Sequence, residues 1–330
     1  MYIYKYGGYR MKLSVVIPCY NEEETVQPLF DELCEVFDSR NIEFDVVFVN
    51  DGSSDSTAKK IERIAADTDR RVKAVFFSRN FGKESAIYAG LQQADGDYTA
   101  IMDGDMQHPP QIVADMVDYL DANPDIDSVA AVQNQRIEGC VLSFFKRSFY
   151  KIINSTASVE FVSGASDFRV CRRPMIDAIL SISEYYRFSK GIFSYVGFNT
   201  HYMPYIARER GGGKTKWSFA KLFRYAIDGI IGYTTAPLKF LTVTGTLLSV
   251  ASFIYLAFIV IKRIIYGDPV AGFATLASLV LLLGGIQLLG LGIIGEYVGR
   301  NYVETKRRPI YIAKKIIDNS KKKDNDVNEQ

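Results

Sequence analysis

The sequence predicts a mostly parallel α/β domain followed by a hairpin of two membrane-spanning helices. Three observations support this prediction. Short apolar runs alternate with helical patterns over residues 11–120, a polar cluster follows each run, and two long uncharged stretches lie near the C-terminus. Strands that alternate with helices are typical of a parallel sheet, which binds its ligands at the carboxyl ends of the strands.

Four apolar runs are predicted to form the first strands of this sheet. The first run reads LSVVIP, and a continuous apolar run is expected of a strand that is buried on both faces. We predict helices beginning at Asn21, at about Ser56 and at Glu84, with Asn21 as the N-cap of a helix whose first turn carries glutamates. The strands are predicted at residues 13–18, 44–49, 72–77 and 98–102.

Two segments, 240–261 and 272–295, are predicted to span a membrane. Neither contains Asp, Glu, Lys or Arg, and each has the ~20 residues that a helix needs to cross the hydrocarbon layer. Buried core helices are the alternative, but adjacent uncharged runs of this length are rare in soluble domains. Basic residues precede the first span and follow the second. Both ends are therefore predicted to face the cytosol, with the connecting loop outside.

Composition and length narrow the class of protein. At 330 residues the chain can hold one sizeable α/β domain and a smaller part, and its formal net charge of +1 gives no case for a nucleic-acid partner. Residues 1–10 lack the apolar core of a signal peptide, which predicts that the soluble part stays in the cytosol. The cysteines form no CxxC pair, which predicts reduced thiols and no structural zinc; they are Cys19, Cys34, Cys140 and Cys171.

An acidic motif, DGDMQ at 103–107, directly follows the fourth predicted strand. The carboxylates of Asp103 and Asp105 can both reach one hard cation, and Mg²⁺ or Mn²⁺ favours such oxygen ligands together with substrate phosphates. A simple acidic turn is the alternative, but the motif ends a strand and runs on into Gln-His-Pro-Pro. We therefore predict a metal site at Asp103 and Asp105.

Two further loops at predicted strand ends carry polar groups. In the loop 51–57, DGSSDST, Asp51 can accept hydrogen bonds from a nucleobase or ribose, although a turn that caps the next helix would explain the serines. The loop 78–83, SRNFGK, offers Arg79 and Lys83 to a diphosphate, with an ordinary solvated loop as the alternative.

These motifs together resemble family 2 glycosyltransferases with the GT-A fold. The matching strings are PCYNEE at 18–23, VNDGS at 49–53, SRNFGK at 78–83 and DGDMQHPP at 103–110. More narrowly, the chain is similar to polyprenyl-phosphate sugar transferases of the bactoprenol glucosyltransferase and dolichol-phosphate mannose synthase group. The similarity covers residues 13–312, and its specific parts are the DxDxQHPP string and the paired C-terminal spans.

The resemblance implies a domain organisation. A cytosolic GT-A catalytic domain is expected over 1–231, with a nucleotide-sugar half at 11–120 and an acceptor half at 121–231. Two transmembrane helices are expected within 232–298, and a cytosolic basic tail with a disordered end within 299–330. Juxtamembrane amphipathic helices are predicted at 142–153 and 222–231, where aromatic and basic residues such as Arg147 alternate. Core-facing helices with a solvated basic side are the alternative.

The resemblance also implies roles for individual residues. Asp103, Asp105 and Gln107 match the family's metal and diphosphate positions, with Mg²⁺ or Mn²⁺ as the expected cofactor. Thr215 stands where the family often has Ser, and it keeps the hydroxyl. The nucleotide-sugar site is expected to include Pro18, Tyr20, Glu22, Asp51, Lys83 and Gly104. The acceptor and diphosphate site is expected to include Arg136, Arg147, Lys190, Arg208, Thr215 and Lys216.

The expected acceptor determines the expected chemistry. A lipid monophosphate has a second pKa near ~6, so it is largely dianionic at neutral pH and needs no base. Direct attack would invert the anomeric carbon and give a β-linked lipid product from an α-linked donor. Asp167 lies where related enzymes that act on hydroxyl acceptors place a base, and it is a catalytic candidate together with Asp105; a structural turn residue is the alternative for Asp167. His108 is predicted to be a packing residue rather than a metal ligand.

Several alternatives remain open from the sequence. UDP-glucose is the favoured donor, with UDP-galactose, UDP-N-acetylhexosamine and GDP-mannose as alternatives, and a homo-oligomer is possible. A processive polysaccharide synthase would carry a Gln-x-x-Arg-Trp motif, whereas the single tryptophan, Trp217, lies in Lys-Thr-Lys-Trp. A non-catalytic membrane scaffold is disfavoured because both DxD carboxylates are present. The bacterial cytoplasmic membrane is the favoured location.

Overall fold

The computed structural model describes residues 11–133, 154–155, 162, 164–206, 208, 231–232, 234–266 and 272–320. Within these ranges, eight strands form one sheet. The strands are β1 (Leu13–Cys19), β2 (Phe44–Asn50), β3 (Val72–Phe77), β4 (Tyr98–Ile101), β5 (Ser128–Gln133), β6 (Ala165–Arg172), β7 (Thr200–Tyr205) and β8 (Ala313–Asp318). The helices are α1 (Val26–Ser39), α2 (Thr57–Asp67), α3 (Lys83–Gln93), α4 (Pro110–Ala122), α5 (Arg173–Ser181), α6 (Ser189–Tyr195), α7 (Ala236–Tyr266) and α8 (Phe273–Thr305).

The sheet is mostly parallel, as the sequence predicts. Its strand order is β7-β5-β6-β4-β1-β2-β3-β8, and among these strands β6 and β8 run against the others. Strand β1 lies inside the sheet and pairs in parallel with β2 and β4. The ends of β1 to β4 therefore meet on one side, which we call the carboxyl end of the sheet. Antiparallel β6 begins at this same end.

The predicted strand boundaries agree closely with the structure, but the start of the first helix was wrong. Strand β3 has the predicted bounds, and β1, β2 and β4 differ from the prediction by one residue. Helix α1 begins at Val26 rather than after Asn21, and its N-cap residue makes no side-chain cap. Asn21 instead has a φ of +56°, and its Oδ1 accepts a hydrogen bond from the Ser54 N–H at 2.9 Å. The side chain of Asn21 therefore joins two loops instead of capping a helix.

The sheet is covered by helices on both faces. Side chains of α1, α2 and α4 pack on one face and those of α3, α5 and α6 on the other. Strand β1 contributes Ile17 to the first layer and Val16 to the second, and both are fully buried. Helix α3 lies so close to β1 that a Cβ on Gly90 would be 2.2 Å from Val16 Cγ1. Such packing holds the loops at the carboxyl end on a rigid base.

The two C-terminal helices have an apolar surface that the protein does not cover. Helix α7 has 31 residues and α8 has 33, so each is about 46–50 Å long and exceeds the ~30 Å of a bilayer core. Both contain a stretch that is long and apolar enough to cross a membrane, and none of either stretch is buried. Phe253 is 72% exposed and Leu288 is 71% exposed. These helices form the predicted hairpin, although both are longer than the predicted spans.

After the hairpin, the chain returns to the sheet. Strand β8 pairs with β3 in antiparallel fashion, and Tyr311 just before it stacks on Phe77 with ring centres 4.8 Å apart. The Oδ1 atom of Asn319 accepts a hydrogen bond from the Val72 N–H at 2.9 Å. Only a basic tail was predicted over 299–330, and strand β8 was not. Its pairing with the edge strand β3 is a tertiary effect that the local sequence does not encode.

Candidate active site

Three charged side chains meet at the carboxyl end of the sheet. Lys83, the first residue of α3, has its Nζ 2.6 Å from Asp103 Oδ1 and 3.3 Å from Asp167 Oδ2. Asp103 lies just after β4, and Asp167 is the third residue of antiparallel β6. Burial alone would lower the pKa of Lys83, but the two carboxylates outweigh it and raise that pKa. The Lys83 side chain is nevertheless 44% exposed, so the cluster is accessible from the surface of the described structure.

His108 supports the turn at residues 103–105, which we call the DxD turn. The Asp103 N–H donates to His108 Nδ1 at 3.1 Å, and the imidazole stacks on Phe168 with ring centres 4.3 Å apart. Burial lowers the pKa of His108, which favours the neutral ring that this hydrogen bond needs. Asp105 Oδ1 accepts the Gln107 N–H at 3.1 Å. His108 thus packs against Phe168 and positions the backbone of Asp103, as expected of a packing residue. These contacts hold the backbone that carries the two carboxylates.

The donor set of this turn fits a hard divalent cation. No group of three or more His, Cys, Asp or Glu side chains that could hold a metal occurs in the described part of the chain. Two carboxylates alone are nevertheless a common protein contribution to a Mg²⁺ site, because substrate phosphates and water complete the coordination. The position of Lys83 beside Asp103 indicates that the turn stabilises positive charge. Asp103 and Asp105 therefore fit a cation that is bound together with a diphosphate.

Gly104 brings the DxD turn against the end of β1. A Cβ on Gly104 would lie 3.4 Å from Cys19 Sγ and 3.5 Å from the Pro18 carbonyl oxygen, which is ordinary contact. Pro18 itself lies in β1, in register with Val49 of β2. Two of the predicted nucleotide-sugar residues, Pro18 and Gly104, are therefore neighbours in the structure.

The loop after β1 is joined to the loop after β2. The Asn21 N–H donates to Ser53 Oγ at 3.0 Å, and the Glu22 N–H donates to Thr57 Oγ1 at 2.9 Å. Tyr20, beside them, is 40% exposed. These hydrogen bonds hold the loop that contains Tyr20 and Glu22 against the DGSSDST loop. Two adjoining loops of this kind can contact the same part of a ligand.

Asp51 has a structural role that the sequence did not reveal. Its carboxylate accepts the Phe81 N–H at 2.6 Å and the Gly82 N–H at 2.9 Å, at the entry to α3. Burial raises the pKa of Asp51, while these two bonds and nearby Arg79 oppose the rise. Gly52 has a φ of +64°, and a Cβ there would lie 2.4 Å from the Arg79 carbonyl carbon. Asp51 and Gly52 thus place the loop that carries Lys83; contact of Asp51 with a nucleoside stays a prediction.

Two of the predicted acceptor-side residues lie in the described part of the chain. The guanidinium of Arg208 contacts both Glu32 oxygens at 2.8 and 2.9 Å and Gln111 at 3.0 Å. The Arg208 N–H donates to the Gln107 carbonyl at 3.1 Å, which places Arg208 beside the DxD loop. Lys190 lies in the first turn of α6. The other acceptor-side predictions lie outside the described residues; they are Arg136, Arg147, Thr215, Lys216 and the amphipathic segments 142–153 and 222–231, except for residue 231.

Glu84 belongs to the same site, although the sequence gave no signal for it beyond its place after Lys83. Its Oε2 accepts the Ser189 N–H at 2.9 Å and also the Ser189 hydroxyl. Burial, together with the nearby charge of Asp167, raises the pKa of Glu84 to about 7. Glu84 and Ser189 are 105 positions apart, so only the fold brings them together.

Comparisons with known proteins show the family to which this chain belongs. The family described as Glycosyl transferase family 2 matches residues 14–180, and the one described as GtrB C-terminal hairpin matches residues 236–300. A putative glycosyltransferase CsbB from Bacillus subtilis is 40% identical over 302 residues, which are 92% of this chain and 91% of that protein.

Two further relatives carry more specific names. A prophage bactoprenol glucosyl transferase homolog from Escherichia coli is 36% identical over 93% of this chain and 99% of its own length. A bactoprenol glucosyl transferase from Shigella phage SfII is 36% identical over 92% of this chain and 98% of its own length. Lys83, Asp103 and Asp167 lie within the first family match, and most of the hairpin lies within the second. The chain belongs to glycosyl transferase family 2 and is a glycosyltransferase with a GtrB-type C-terminal hairpin.

Proposed function

We propose that this enzyme transfers a single hexose from UDP-glucose to undecaprenyl phosphate, or a similar polyprenyl phosphate, at the cytosolic face of a bacterial membrane. The observation that carries the proposal is the extent of the similarity to bactoprenol glucosyl transferases, which includes both the catalytic domain and the hairpin. An acceptor that resides in a bilayer would explain why a sugar-transfer domain is joined to two helices with open apolar surfaces.

The proposed reaction needs a nucleophile but no base. A phosphate dianion can attack the anomeric carbon directly, because it has no proton to lose at neutral pH. The new bond joins the lipid phosphate oxygen to that carbon, and the bond to the nucleoside diphosphate breaks with its electrons going to the diphosphate. A single displacement of this kind inverts the anomeric centre, so an α-linked donor would yield a β-linked lipid product.

The chain's own residues would bind and orient the reactants. Asp103 and Asp105, with Gln107 beside them, would hold Mg²⁺ or Mn²⁺, and the bound cation would stabilise the negative charge of the departing diphosphate. Lys83 lies 2.6 Å from Asp103 and would add a second positive charge to the same region. The partial exposure of the Lys83 side chain would allow the diphosphate to approach it.

Asp167 is proposed to position Lys83 rather than to remove a proton. Its Oδ2 is 3.3 Å from Lys83 Nζ, and its Oδ1 is buried without a hydrogen-bond partner among the described residues. The ion pair directs Asp167 Oδ2 toward the Lys83 ammonium. Asp167 would instead fix the direction in which the Lys83 ammonium points.

A panel of donors tests the proposed substrates. Purified enzyme in detergent is supplied with undecaprenyl phosphate and one of four radiolabelled nucleotide-sugars: UDP-glucose, UDP-galactose, UDP-N-acetylglucosamine or GDP-mannose. Label is then counted in the extracted lipid phase. We expect UDP-glucose to give the most label. Efficient transfer from another donor alone would replace UDP-glucose with that donor, and absence of lipid label with every donor would refute the acceptor.

The proposed orientation is tested by cysteine labelling in intact cells. A membrane-impermeant maleimide should label Asp268→Cys, in the loop between the two spans, from outside. The same reagent should not label Lys323→Cys, near the C-terminus, until the cells are permeabilised. Labelling of both positions from the same side would refute a two-span hairpin with both ends in the cytosol.

A further inference from the structure

The segment 182–188, which connects α5 to α6, contacts the end of helix α8. The Oε1 atom of Glu304 accepts the Tyr185 N–H at 2.9 Å and, at a longer 3.4 Å, the Tyr186 N–H. The guanidinium of Arg300, one turn earlier on α8, lies 5.2 Å from the centre of the Tyr186 ring. One carboxylate and one cation of the C-terminal helix thus contact two consecutive residues of this loop.

The other end of the segment is attached to the active site. Ser189, the first residue of α6, donates its N–H and its hydroxyl to Glu84 in the first turn of α3. Arg187 strengthens this end, because its guanidinium lies 4.3 Å from the Tyr88 ring centre on α3. Glu84 directly follows Lys83, the lysine that contacts Asp103 and Asp167.

We propose that the segment 182–188 couples the membrane hairpin to the acceptor side of the site, with Glu304 and Glu84 as its two anchors. The inference depends on the proposed function in one respect, namely that the acceptor phosphate lies at the membrane surface. An acceptor held by the bilayer reaches the site only if the site has a fixed height above the bilayer. The anchors supply that link, because Glu304 belongs to a membrane helix and Glu84 binds Ser189, which precedes the predicted acceptor-side residue Lys190 on α6.

The two anchors differ in strength. Hydrogen bonds to a carboxylate are stronger than neutral ones, and they gain further when water is excluded. Glu84 is partly buried and takes two hydrogen bonds from one residue, whereas Glu304 is exposed. Loss of Glu84 should therefore affect α6 more than loss of Glu304. Both are positioning residues, since Glu84 binds Ser189 and Glu304 binds the backbone of Tyr185 and Tyr186, and neither is assigned a contact with a substrate.

Amide hydrogen exchange tests the coupling without any assumption about the substrate. In Glu304→Ala, exchange at Tyr185 and Tyr186 should accelerate, on the order of tenfold for the loss of charge-assisted hydrogen bonds, and a smaller acceleration should extend to Ser189. Glu304→Gln keeps a carbonyl acceptor and should restore most of the protection. Thr305→Ala is the control, because the Thr305 hydroxyl bonds only to Tyr302 of its own helix in the described structure. Unchanged exchange at Ser189 in Glu304→Ala would overturn the coupling.

Steady-state kinetics test whether the coupling serves the acceptor. With saturating donor, Glu304→Ala should raise the apparent KM for undecaprenyl phosphate by roughly fivefold to tenfold, while the KM for the donor should stay within about twofold. An equal rise in both KM values, or a fall in kcat alone, would contradict a role on the acceptor side. If the parent enzyme forms no lipid product, the proposed function fails, and the exchange experiment still decides whether α8 is coupled to α6.

Discussion

The sheet carries a cluster of charges at each of its two ends, and the clusters differ in composition. At the amino end, three cations and three carboxylates pair with one another; they are Lys12, Arg71 and Lys73 with Asp45, Asp95 and Asp318. At the carboxyl end, Lys83 contacts both Asp103 and Asp167. The first cluster joins the starts of three strands and the end of β8. The second is partly exposed and lies beside the DxD turn.

This difference separates a structural from a functional use of charge. Asp95 has ion pairs of 2.9 Å with Lys12, Arg71 and Lys73, so its carboxylate is satisfied within the fold. Asp167 instead shares Lys83 with Asp103, and Asp105 adds a third carboxylate in the turn that carries Asp103. Such a concentration of carboxylates suits a divalent cation that is bound together with a ligand. The carboxyl end therefore has the character of a binding site, and the amino end that of a structural tie.

The largest expected effect is a loss of activity after a substitution at the carboxyl end of the sheet. Asp105→Asn should lower turnover by on the order of 10²- to 10³-fold, since an amide is a poorer ligand than a carboxylate for a hard cation. Its thermal unfolding midpoint should stay close to that of the parent. Assays at several Mg²⁺ and Mn²⁺ concentrations, with calorimetry on the same samples, provide the measurement. Near-parental turnover in Asp105→Asn, or full parental activity in EDTA, would remove the metal assignment.

Asp95→Asn is the matched change at the amino end. It should keep activity within about twofold while lowering the free energy of unfolding by about 1–2 kcal/mol, a value reduced for the partial exposure of the Asp95 side chain. Loss of activity without loss of stability in this variant would break the distinction between the two ends.

The next effect distinguishes a base from the docking cations that the sequence predicts. Asp167→Asn should reduce the rate by less than the ~10²- to 10⁴-fold that loss of a general base causes. Arg136→Ala or Lys216→Ala should chiefly raise the apparent KM for lipid phosphate, because each removes a charge-assisted contact. Titration of the lipid at saturating donor separates the two effects. Abolished turnover in Asp167→Asn at every lipid concentration, with mild cation variants, would give Asp167 an essential role.

The meeting of Asp51, Lys83 and Asp103 at one end of the sheet was predictable from sequence, because they follow consecutive strands. Asp51 and Asp103 lie just after the ends of strands and Lys83 begins the helix after β3, and parallel strands bring such positions to one end of the sheet. The long-range contacts of other side chains near the site were not predictable. Glu84 meets Ser189 across 105 positions, and Arg208 meets Glu32 across 176, so local sequence carries no trace of either pair.

Strand β8 shows the same limit for the fold. The two spans were recognisable from their uncharged length, since a membrane imposes a local requirement on composition. The return of the chain to the sheet depends on an edge strand, β3, that lies more than two hundred positions earlier; Val72 and Asn319 are 247 apart. The amino-end cluster was missed for the same reason, because Lys12 and Asp95 are 83 positions apart.

The smallest expected effect concerns acid stability. Burial would raise the pKa of Asp95, but its bonds with Lys12 and Lys73 outweigh burial and hold that pKa below the ordinary 3.8. A lowered folded-state pKa stabilises the fold above the unfolded-state pKa, and this contribution is lost as pH falls through the folded value. The stability difference between the parent and Asp95→Asn should therefore shrink below about pH 4. Chemical denaturation from pH 7 to pH 3 measures it, and a constant difference would contradict the role of these ion pairs.

A lipid-phase transfer assay tests the proposed activity most directly. Parent enzyme and Asp105→Asn are incubated with radiolabelled UDP-glucose and Mg²⁺ or Mn²⁺, with and without undecaprenyl phosphate, and the extracted lipid is counted. We expect label in the lipid only with the parent, the metal and the lipid phosphate all present. Release of UDP by the parent at the same rate without lipid phosphate, and no label in the lipid, would contradict transfer to a polyprenyl phosphate.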